Sequence, residues 1–337
     1  MSIAYETIYQ FWNTAVLRAG ITLGIFSLLE EKQPCSDEFI IKHLNSDPKF
    51  THSFLEACVV LGFLEKDGNE YKNTQDTSDR LIPGKVDYLG DLALHITNYW
   101  SSWGKLDQLI IEGRTELPFE NGFVDAPTYW KDYMYGQHNR AESGQINNLI
   151  QNTDLTGRKK ILDVGGGMGS YSIPLCQAYP NLQVCLLDAK EPLELAQKQV
   201  EEKKVGDRVL LKEGDFHTME LDTDYDVVLI SGVFSVTNEE ENRQICARAF
   251  EVLQPGGLVI IQDFSQIGEN KEKHFLDTMM DLYVKIAFSP RAGDFTGEEV
   301  VSWLTNVGFE NHKQILLPTQ LNIITADRKS TRLNSSH

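Results

Sequence analysis

The sequence lacks several features that would place it in a special class of protein. No apolar run is long enough to cross a bilayer, and the N-terminus has neither the basic start nor the apolar core of a signal peptide. The five cysteines are scattered, odd in number and never spaced as C-x-x-C, which disfavours disulfides and zinc sites. These absences predict a cytoplasmic protein with reduced thiols and no metal site.

Basic residues are also scarce. The chain has 31 lysines and arginines against 49 aspartates and glutamates, a formal net charge of -18. Like charges repel at long range, so this balance argues against a nucleic-acid or anionic-membrane partner and favours a small-molecule ligand. The 337 residues, 41% hydrophobic and 24% charged, predict a folded protein with two domains.

A glycine-rich loop is the clearest motif. Apolar residues at positions 161, 162 and 164 predict the first strand of a parallel sheet, and four glycines follow within five positions. Glycine lets the backbone turn tightly and approach a ligand at the start of the next helix. A dinucleotide fingerprint fits less well, because Ser170 stands where its third glycine belongs. The pattern is D-x-G-x-G-x-G, formed by Asp163, Gly165, Gly167 and Gly169, with Gly166 at one of its variable positions.

The first 90 residues predict a winged-helix-like domain. Helical spacing over residues 5–31 predicts one or two helices, Ser36 begins another, and residues 50–61 form a further helix closed by Gly62. Residues 63–73 alternate around Asp67 and Gly68, as in a β-hairpin. A winged helix often binds DNA, but acidic residues outnumber basic ones here. We therefore expect the apolar first helix to pack against a partner chain.

Residues 91–155 predict a helical connector that lines the substrate cleft. Two aromatic-rich helices are expected, over residues 92–113 and 128–152. Aromatic residues at helical spacing often belong to a core, and this alternative stays open for each of them. With one residue from a later loop, the candidate substrate-binding residues are Trp103, Met134, Tyr135, His138 and Phe234.

Strands and helices alternate through residues 156–326, which predicts a doubly wound α/β domain. Strands are expected at 183–188, 209–212, 226–230, 258–261, 310–316 and 321–326, with a helix at 295–308. Asp188 ends the second strand about 20 residues after the glycine loop, where a carboxylate can accept both ribose hydroxyls of a nucleoside. Asp215 and Phe216 end the third strand, where an adenine would lie.

Together these stretches resemble the class I S-adenosylmethionine-dependent methyltransferases. More narrowly, the chain is similar to the small-molecule O-methyltransferases that include the caffeate and hydroxyindole enzymes. The resemblance covers nearly all of residues 8–326 and rests on residues 16–26, 162–169, 213–216 and 253–257. It implies a homodimer with a winged-helix-like dimerisation domain, and a Rossmann-like, seven-stranded sheet whose last strand is antiparallel.

The resemblance also implies the cofactor, S-adenosylmethionine. By it, Gly165, Gly167 and Gly169 line the amino-acid portion, Asp188 holds the ribose, and Asp215 and Phe216 hold the adenine. Asp163, Gly166 and Ser231 complete the implied cofactor site. The partner chain would complete the wall of the active site.

One departure from the family concerns the catalytic base. The family normally carries a histidine after the fourth strand, and by register Ser235 occupies that position here. A serine hydroxyl is not a general base near neutral pH unless another group activates it. The acidic residues that flank the family's base correspond to Asp263 and Asp294.

Three hypotheses for the acceptor stay open. A thioether sulfur, as in methylthio-hydroxybutyrate methylation for dimethylsulfoniopropionate synthesis, needs no base, and positioning alone accelerates its reaction. A hydroxyl acceptor would use Asp263, Asp294 or His138 as its base. The third possibility is a protein that binds cofactor, or DNA, without transferring a methyl group.

The last residues, 327–337, read as the translation of a sequencing adapter. We predict that this segment is an artefact tail outside the fold. A genuine basic tail is the alternative.

Overall fold

The computed structural model describes residues 2–264, 275–293, 295–317 and 321–330. The chain forms two compact units, Met1–Gly104 with Pro118–Ser143, and Lys105–Leu117 with Gly144–His337. This division splits the predicted connector, residues 91–155, between the units. One backbone hydrogen bond helps to explain why residues 105–117 belong to the second unit. The N–H of Glu116 donates to the carbonyl of Ile286, in that unit, at 2.9 Å.

The first unit begins with two helices, α1 (Ile3–Thr22) and α2 (Ile25–Lys32). They are bent by 58° at a break where Gly24 adopts a φ of +69°, a conformation that favours glycine. The prediction of one or two helices here is confirmed as two. Within the described residues, no single helix has the length and apolar composition to cross a membrane, although α1 and α2 together pass that test as a bent pair.

A small three-stranded sheet follows, with strand order β1-β3-β2. The predicted hairpin is confirmed, and Gly68 in its turn has a φ of +58°. The Ser36 side chain accepts from the N–H of Phe39 at 3.2 Å, which confirms the predicted helix start. The elements are β1 (Cys35–Ser36), α3 (Asp37–Leu44), α4 (Pro48–Val60), β2 (Leu64–Asp67), β3 (Glu70–Asn73) and α5 (Gln75–Arg80).

The two long helices predicted for the connector are interrupted. The prediction of one helix over residues 92–113 is wrong. The segment is divided into α6 (Gly90–Asn98), α7 (Trp100–Trp103) and α8 (Leu106–Glu112). Two features mark the breaks: the buried Tyr99, whose hydroxyl lies 2.5 Å from that of Tyr129, and Gly104. The second helix is α9 (Ala126–Arg140), one π-helical turn (Ala141–Gln145) and α10 (Ile146–Asn152).

The second unit is built on a seven-stranded sheet with strand order β6-β5-β4-β7-β8-β10-β9. The first five strands in this order run parallel, and β10 pairs antiparallel with both of its neighbours. The predicted sheet is therefore confirmed. Its strands are β4 (Lys160–Val164), β5 (Gln183–Asp188), β6 (Val209–Glu213), β7 (Tyr225–Ser231), β8 (Leu253–Asp263), β9 (Phe309–Leu316) and β10 (Asn322–Arg328).

The sheet has an apolar core on each face. Alternate residues of β4 point to opposite faces, so Leu162 packs in one core and Ile161 in the other. All five cysteines are buried and free, as predicted. The helices of this unit, besides α8 and α10, are α11 (Ser172–Ala178), α12 (Lys190–Glu202), α13 (Glu239–Val252), α14 (Phe275–Ala287) and α15 (Gly297–Val307).

The predicted start of the artefact tail, residue 327, lies within the last strand of the sheet. Asp327 and Arg328 belong to β10, where Asp327 pairs with Leu258 of β8 and Arg328 with Phe309 of β9. The Arg328 guanidinium also lies 4.5 Å from the centre of the Phe250 ring. These contacts place the first two residues of the predicted tail inside the fold, while residues 331–337 lie outside the described part of the chain.

Candidate active site

The glycine loop follows β4 and has the backbone that its glycines favour. Gly165, Gly167 and Gly169 have φ values of +67°, +58° and +80°, where other residues are strained. Gly166 has an ordinary φ but is tightly enclosed. A Cβ there would lie 2.8 Å from both the Asp163 carboxylate and the Leu186 side chain. The loop therefore excludes side chains for two different reasons.

Asp163 lies beneath the loop. Its Oδ2 accepts a 2.5 Å hydrogen bond from the hydroxyl of Ser172, the first residue of α11. Burial raises the pKa of Asp163 to about 7, against the opposing effect of the Ser172 hydrogen bond. Only 1% of Asp163 is exposed, and its observed contact is the support of the loop through Ser172, while its predicted cofactor contact stays a prediction.

Asp188 ends β5 beside the loop. Its Oδ2 accepts from the N–H of Gly167 at 2.8 Å, and its Oδ1 accepts from the N–H of Ala189 at 2.7 Å. Burial raises the pKa of Asp188, while the bond from Gly167 acts in the opposite direction. The structure thus brings together the loop and the carboxylate predicted to hold the ribose.

The residues predicted for the adenine follow β6. Asp215 is exposed, and its Oδ1 accepts from the N–H of His217 at 2.9 Å, which fixes the carboxylate in a turn. Phe216 is only 6% exposed and packs in the core of the second unit. Most of this ring is therefore committed to the core, and only a small part of its surface is open to a ligand.

Ser235 lies in a short 3-10 turn, Phe234–Val236, after β7. Its N–H donates to Oδ2 of Asp263 at 3.0 Å, and the N–H of Phe264 donates to Oδ1 at 2.8 Å. Asp263 is only 2% exposed, and burial raises its pKa to about 6 against the hydrogen bonds from Ser235. The structure brings together two of the four predicted catalytic residues.

The structure places Phe234 in the core, and its predicted substrate contact stays a prediction. It was predicted to contact substrate, but its side chain is 0% exposed and packs against Phe295, with ring centres 6.1 Å apart. Asn242 holds the same turn from α13 by donating to the Phe234 carbonyl at 3.1 Å. Phe234 is therefore a core residue that fixes the turn carrying Ser235.

The remaining predicted residues are placed as follows. Trp103, Met134, Tyr135 and His138 lie in the first unit and are half-buried. Nε2 of His138 is 3.6 Å from a carboxylate oxygen of Glu142. Asp294 lies outside the described residues. Ser231, half-buried, ends β7 and is paired in register with Gln262 of β8.

Two buried polar residues at the ends of elements, Ser172 and Gln262, were not among the residues predicted from the sequence. Ser172 supports the loop through Asp163, and its signal was a hydroxyl three residues after the last loop glycine. Gln262 is 0% exposed at the carboxyl end of β8. Its signal was a single amide that follows four apolar residues.

Two family models match the chain. The O-methyltransferase domain matches residues 103–310, and the O-methyltransferase dimerisation domain matches residues 5–82. The chain belongs to the O-methyltransferase family. The match confirms the predicted enzyme class, a methyltransferase that uses S-adenosylmethionine, and the presence of a dimerisation domain.

Individual relatives of this O-methyltransferase family member act on different atoms. A 3-hydroxy-5-methyl-1-naphthoate 3-O-methyltransferase from Streptomyces sahachiroi is 27% identical over 308 residues, covering 88% of this chain and 86% of that protein. An N,N-dimethyltransferase from Streptomyces rimosus is 27% identical over 260 residues, covering 75% of each. The crystal structure of human N-acetylserotonin methyltransferase with its bound cofactor has a TM-score of 0.85 at 21% identity, covering 98% of this chain and 99% of that one.

Proposed function

We propose that this methyltransferase acts on a neutral atom with an available lone pair, a thioether sulfur or an amine nitrogen, in a small molecule. The carrying observation is the hydrogen bond from the N–H of Ser235 to Asp263. The sequence register of the resemblance assigns Ser235 to the position of the family's histidine, and the proposal takes that assignment as its premise. S-adenosylmethionine supplies an electrophilic methyl group on a sulfonium sulfur. A neutral sulfur or nitrogen can accept that methyl group without first losing a proton, so no base is required at position 235.

The cofactor residues are proposed from the same geometry. Gly165, Gly167 and Gly169 fit a loop that a ligand approaches closely, because none of them carries a side chain. Asp188 fits as the ribose ligand, because its carboxylate is fixed by Gly167 and Ala189 at the end of β5. A fixed carboxylate loses little freedom on binding, which favours recognition of the two ribose hydroxyls.

Asp263 fits a positioning role in this proposal. Both of its carboxylate oxygens accept from backbone N–H groups, those of Ser235 and Phe264. These bonds fix the turn after β7 relative to the end of β8. A rigid turn holds the acceptor in line with the methyl group, and such positioning alone can supply a large rate enhancement.

The second candidate is O-methylation with Asp263 as the base. Its specific support is the pKa of Asp263, which burial raises to about 6 and thus toward the range of an effective general base. The match to the O-methyltransferase domain and the naphthoate relative favour the same chemistry. In this alternative Ser235 lies next to the carboxylate and would relay the proton from the acceptor hydroxyl.

The first experiment identifies the acceptor atom. Purified protein is incubated with methyl-labelled S-adenosylmethionine and, separately, with matched arenes carrying a methylthio, amino, hydroxyl or thiol group, and products are identified by mass spectrometry. Methylation of the methylthio or amino compounds is expected. Turnover of the hydroxyl compound alone would favour the second candidate, and no turnover at all would favour cofactor binding without transfer.

The pH dependence separates the two candidates further. A neutral acceptor predicts a rate that is constant from about pH 6 to 9, once ionisation of the acceptor itself is allowed for. A rate that rises with an apparent pKa near 6 would support Asp263 as a base. Asp263→Asn adds a control, since the asparagine can accept a backbone N–H but cannot take a proton at this pH.

We also propose that the protein is a homodimer through its first helix. The dimerisation-domain match includes most of α1. This helix exposes a set of large apolar side chains, and exposed apolar surface of this extent is typical of a protein interface. The residues are Ile3, Tyr5, Ile8, Phe11 and Trp12, each more than half exposed.

A further inference from the structure

Gln262 is a buried amide without a partner. Its side chain is 0% exposed, and neither Nε2 nor Oε1 has a hydrogen-bond partner in the part of the chain that the structure describes. Most buried side-chain amides in proteins are hydrogen-bonded, because an unpaired one has lost its contacts with water and gained nothing in return. An exception at the carboxyl end of a parallel strand needs a functional explanation.

The position of Gln262 suggests one. It is paired in register with Ser231 of β7, and residues paired in register in a parallel sheet share a face. Ser231 is half-buried and the next residue, Gly232, is exposed. Gly232, Ser231 and Gln262 are therefore neighbouring positions whose exposure decreases from the edge of the sheet to the buried amide. The glutamine side chain has three rotatable bonds, so its amide can turn toward Ser231 without movement of the strand.

Strand order indicates which ligand the amide serves. The loop glycines and Asp188, proposed above for the cofactor, follow β4 and end β5, on one side of the sheet in the order β6-β5-β4. Ser231, which the family resemblance adds to the cofactor site, ends β7, between these strands and β8. Gln262 lies on β8, two strands from β4 in the opposite direction, a separation of roughly 10 Å at about 4.8 Å per strand. Gln262 thus lies one strand beyond every residue assigned to the cofactor, and we assign a ligand group there to the acceptor.

We propose that the Gln262 carboxamide orients the methyl acceptor, and that the acceptor carries a carboxamide or a similar pair of adjacent donor and acceptor atoms. Both ends of the Gln262 amide are unpaired, and a second amide satisfies both ends at once through two reciprocal hydrogen bonds. This inference rests on the proposed methyltransferase function and adds the polar group by which the acceptor is recognised.

The test compares matched probes on three proteins, each loaded with S-adenosylhomocysteine. The probes are 4-(methylthio)benzamide against thioanisole, and 4-aminobenzamide against aniline, with dissociation constants measured by calorimetry. The proteins are wild type, Gln262→Met and Gln254→Met. Gln254 is the matched control, because it lies at the other end of β8 and its amide donates to Asp226.

We expect wild type to bind each benzamide roughly tenfold more tightly than its partner without the amide, as two net hydrogen bonds would give. Gln262→Met should lose this preference, and Gln254→Met should keep it. Absence of the preference in wild type, its persistence in Gln262→Met, or undetectable binding of all four probes would overturn the proposal.

Two further measurements separate this role from a structural one. The affinity of Gln262→Met for S-adenosylhomocysteine should stay within twofold of wild type, and its Tm should be unchanged or higher, because an unpaired buried amide has been removed. Gln262→Leu serves as a second variant if methionine impairs folding. A Gln262-dependent preference without methyl transfer to any acceptor would support this inference and contradict the proposed function, so the two can fail separately.

Discussion

At the scale of single residues, Gly166 is the most tightly enclosed position in the glycine loop. Its φ is ordinary, so alanine would be acceptable to the backbone, but the added Cβ would lie 2.8 Å from Asp163 and from Leu186. The Asp163 carboxylate is fixed by Ser172 and cannot easily move aside. Glycine is therefore required here by its size, whereas Gly165, Gly167 and Gly169 are required by their backbone conformation.

We predict that Gly166→Ala lowers the free energy of unfolding by about 1–3 kcal/mol, because overpacking forces the loop to shift. Cofactor affinity should fall at least tenfold, as measured by calorimetry with S-adenosylhomocysteine. Gly206→Ala is the matched control, since its Cβ would lie 3.6 Å from Val200, an ordinary contact. Equal stability and affinity in the two variants would contradict the packing explanation.

A second residue-scale prediction concerns the pH dependence of stability. The pKa of Asp163 is about 7 in the folded protein and close to 4 in an unfolded chain. Between these values the folded state retains a proton that the unfolded state has lost, so the contribution of Asp163 to stability falls as pH rises through this window. Asparagine at this position does not titrate and can still accept from Ser172.

The stability of Asp163→Asn relative to wild type should therefore increase from pH 5 to pH 7 and level off above about pH 7.5. Urea unfolding at half-unit intervals of pH measures the difference. A difference that does not change with pH would mean that Asp163 is already charged in the folded protein at pH 5.

At the scale of elements, α15 shows how a local sequence signal supports the core. Thr296 accepts from the N–H of Glu299 at 3.2 Å, and the Glu299 side chain accepts from the N–H of Thr296 at 2.7 Å. This capping box begins a helix whose Trp303 and Leu304 are buried against the sheet.

Thr296→Ala should reduce the free energy of unfolding by about 1 kcal/mol, because the N–H of Glu299 loses the hydroxyl oxygen that it donates to. Thr305→Ala is the control, since that exposed hydroxyl bonds the Val301 carbonyl within the same helix. Chemical denaturation of both variants decides the point, and an equal loss in both would show that the cap itself contributes little.

The elements were largely predictable from sequence, and the reason is periodicity. The strand β5 was predicted with its observed bounds and five others to within two residues at each end, whereas β8 begins at Leu253, five residues before its predicted start. The break at Tyr99 was not predictable, since it coincides with a hydroxyl contact to Tyr129, 30 residues away. The burial of Phe234 likewise depends on Phe295 and Trp303 from distant elements.

In the candidate site, too, the features set by local sequence were predictable and those set by packing were not. Motif spacing located the glycine loop and Asp188, because both lie at strand ends that the pattern identifies. Spacing could not show that Asp163 is beneath the loop, or that Gln262 has no hydrogen-bond partner among the described residues, since both properties arise from packing between strands. The resemblance to the family identified Ser235 and Asp263 by their position in the sequence, and the structure places them in contact.

At the scale of the whole molecule, the proposed dimer yields the next prediction. Ile8 and Trp12 are 61% and 54% exposed, one helical turn apart on α1. The double variant Ile8→Glu with Trp12→Glu should be a monomer by light scattering, because two carboxylates cannot be buried cheaply in an apolar interface. Ile111→Glu, an equally apolar exposed site on α8, should leave the dimer intact. A dimeric double variant would place the interface elsewhere.

The division of the chain into two units has a consequence for its synthesis and its ancestry. The chain passes between the units three times, after Gly104, Leu117 and Ser143. The first unit therefore lacks α9 until residue 143 has left the ribosome, and it cannot mature as an independent N-terminal domain would. Recombination at a single point between residues 98 and 126 would also separate α6 from α9. Exchange of the first unit between relatives should thus require transfer of residues 118–143 together with the first 104.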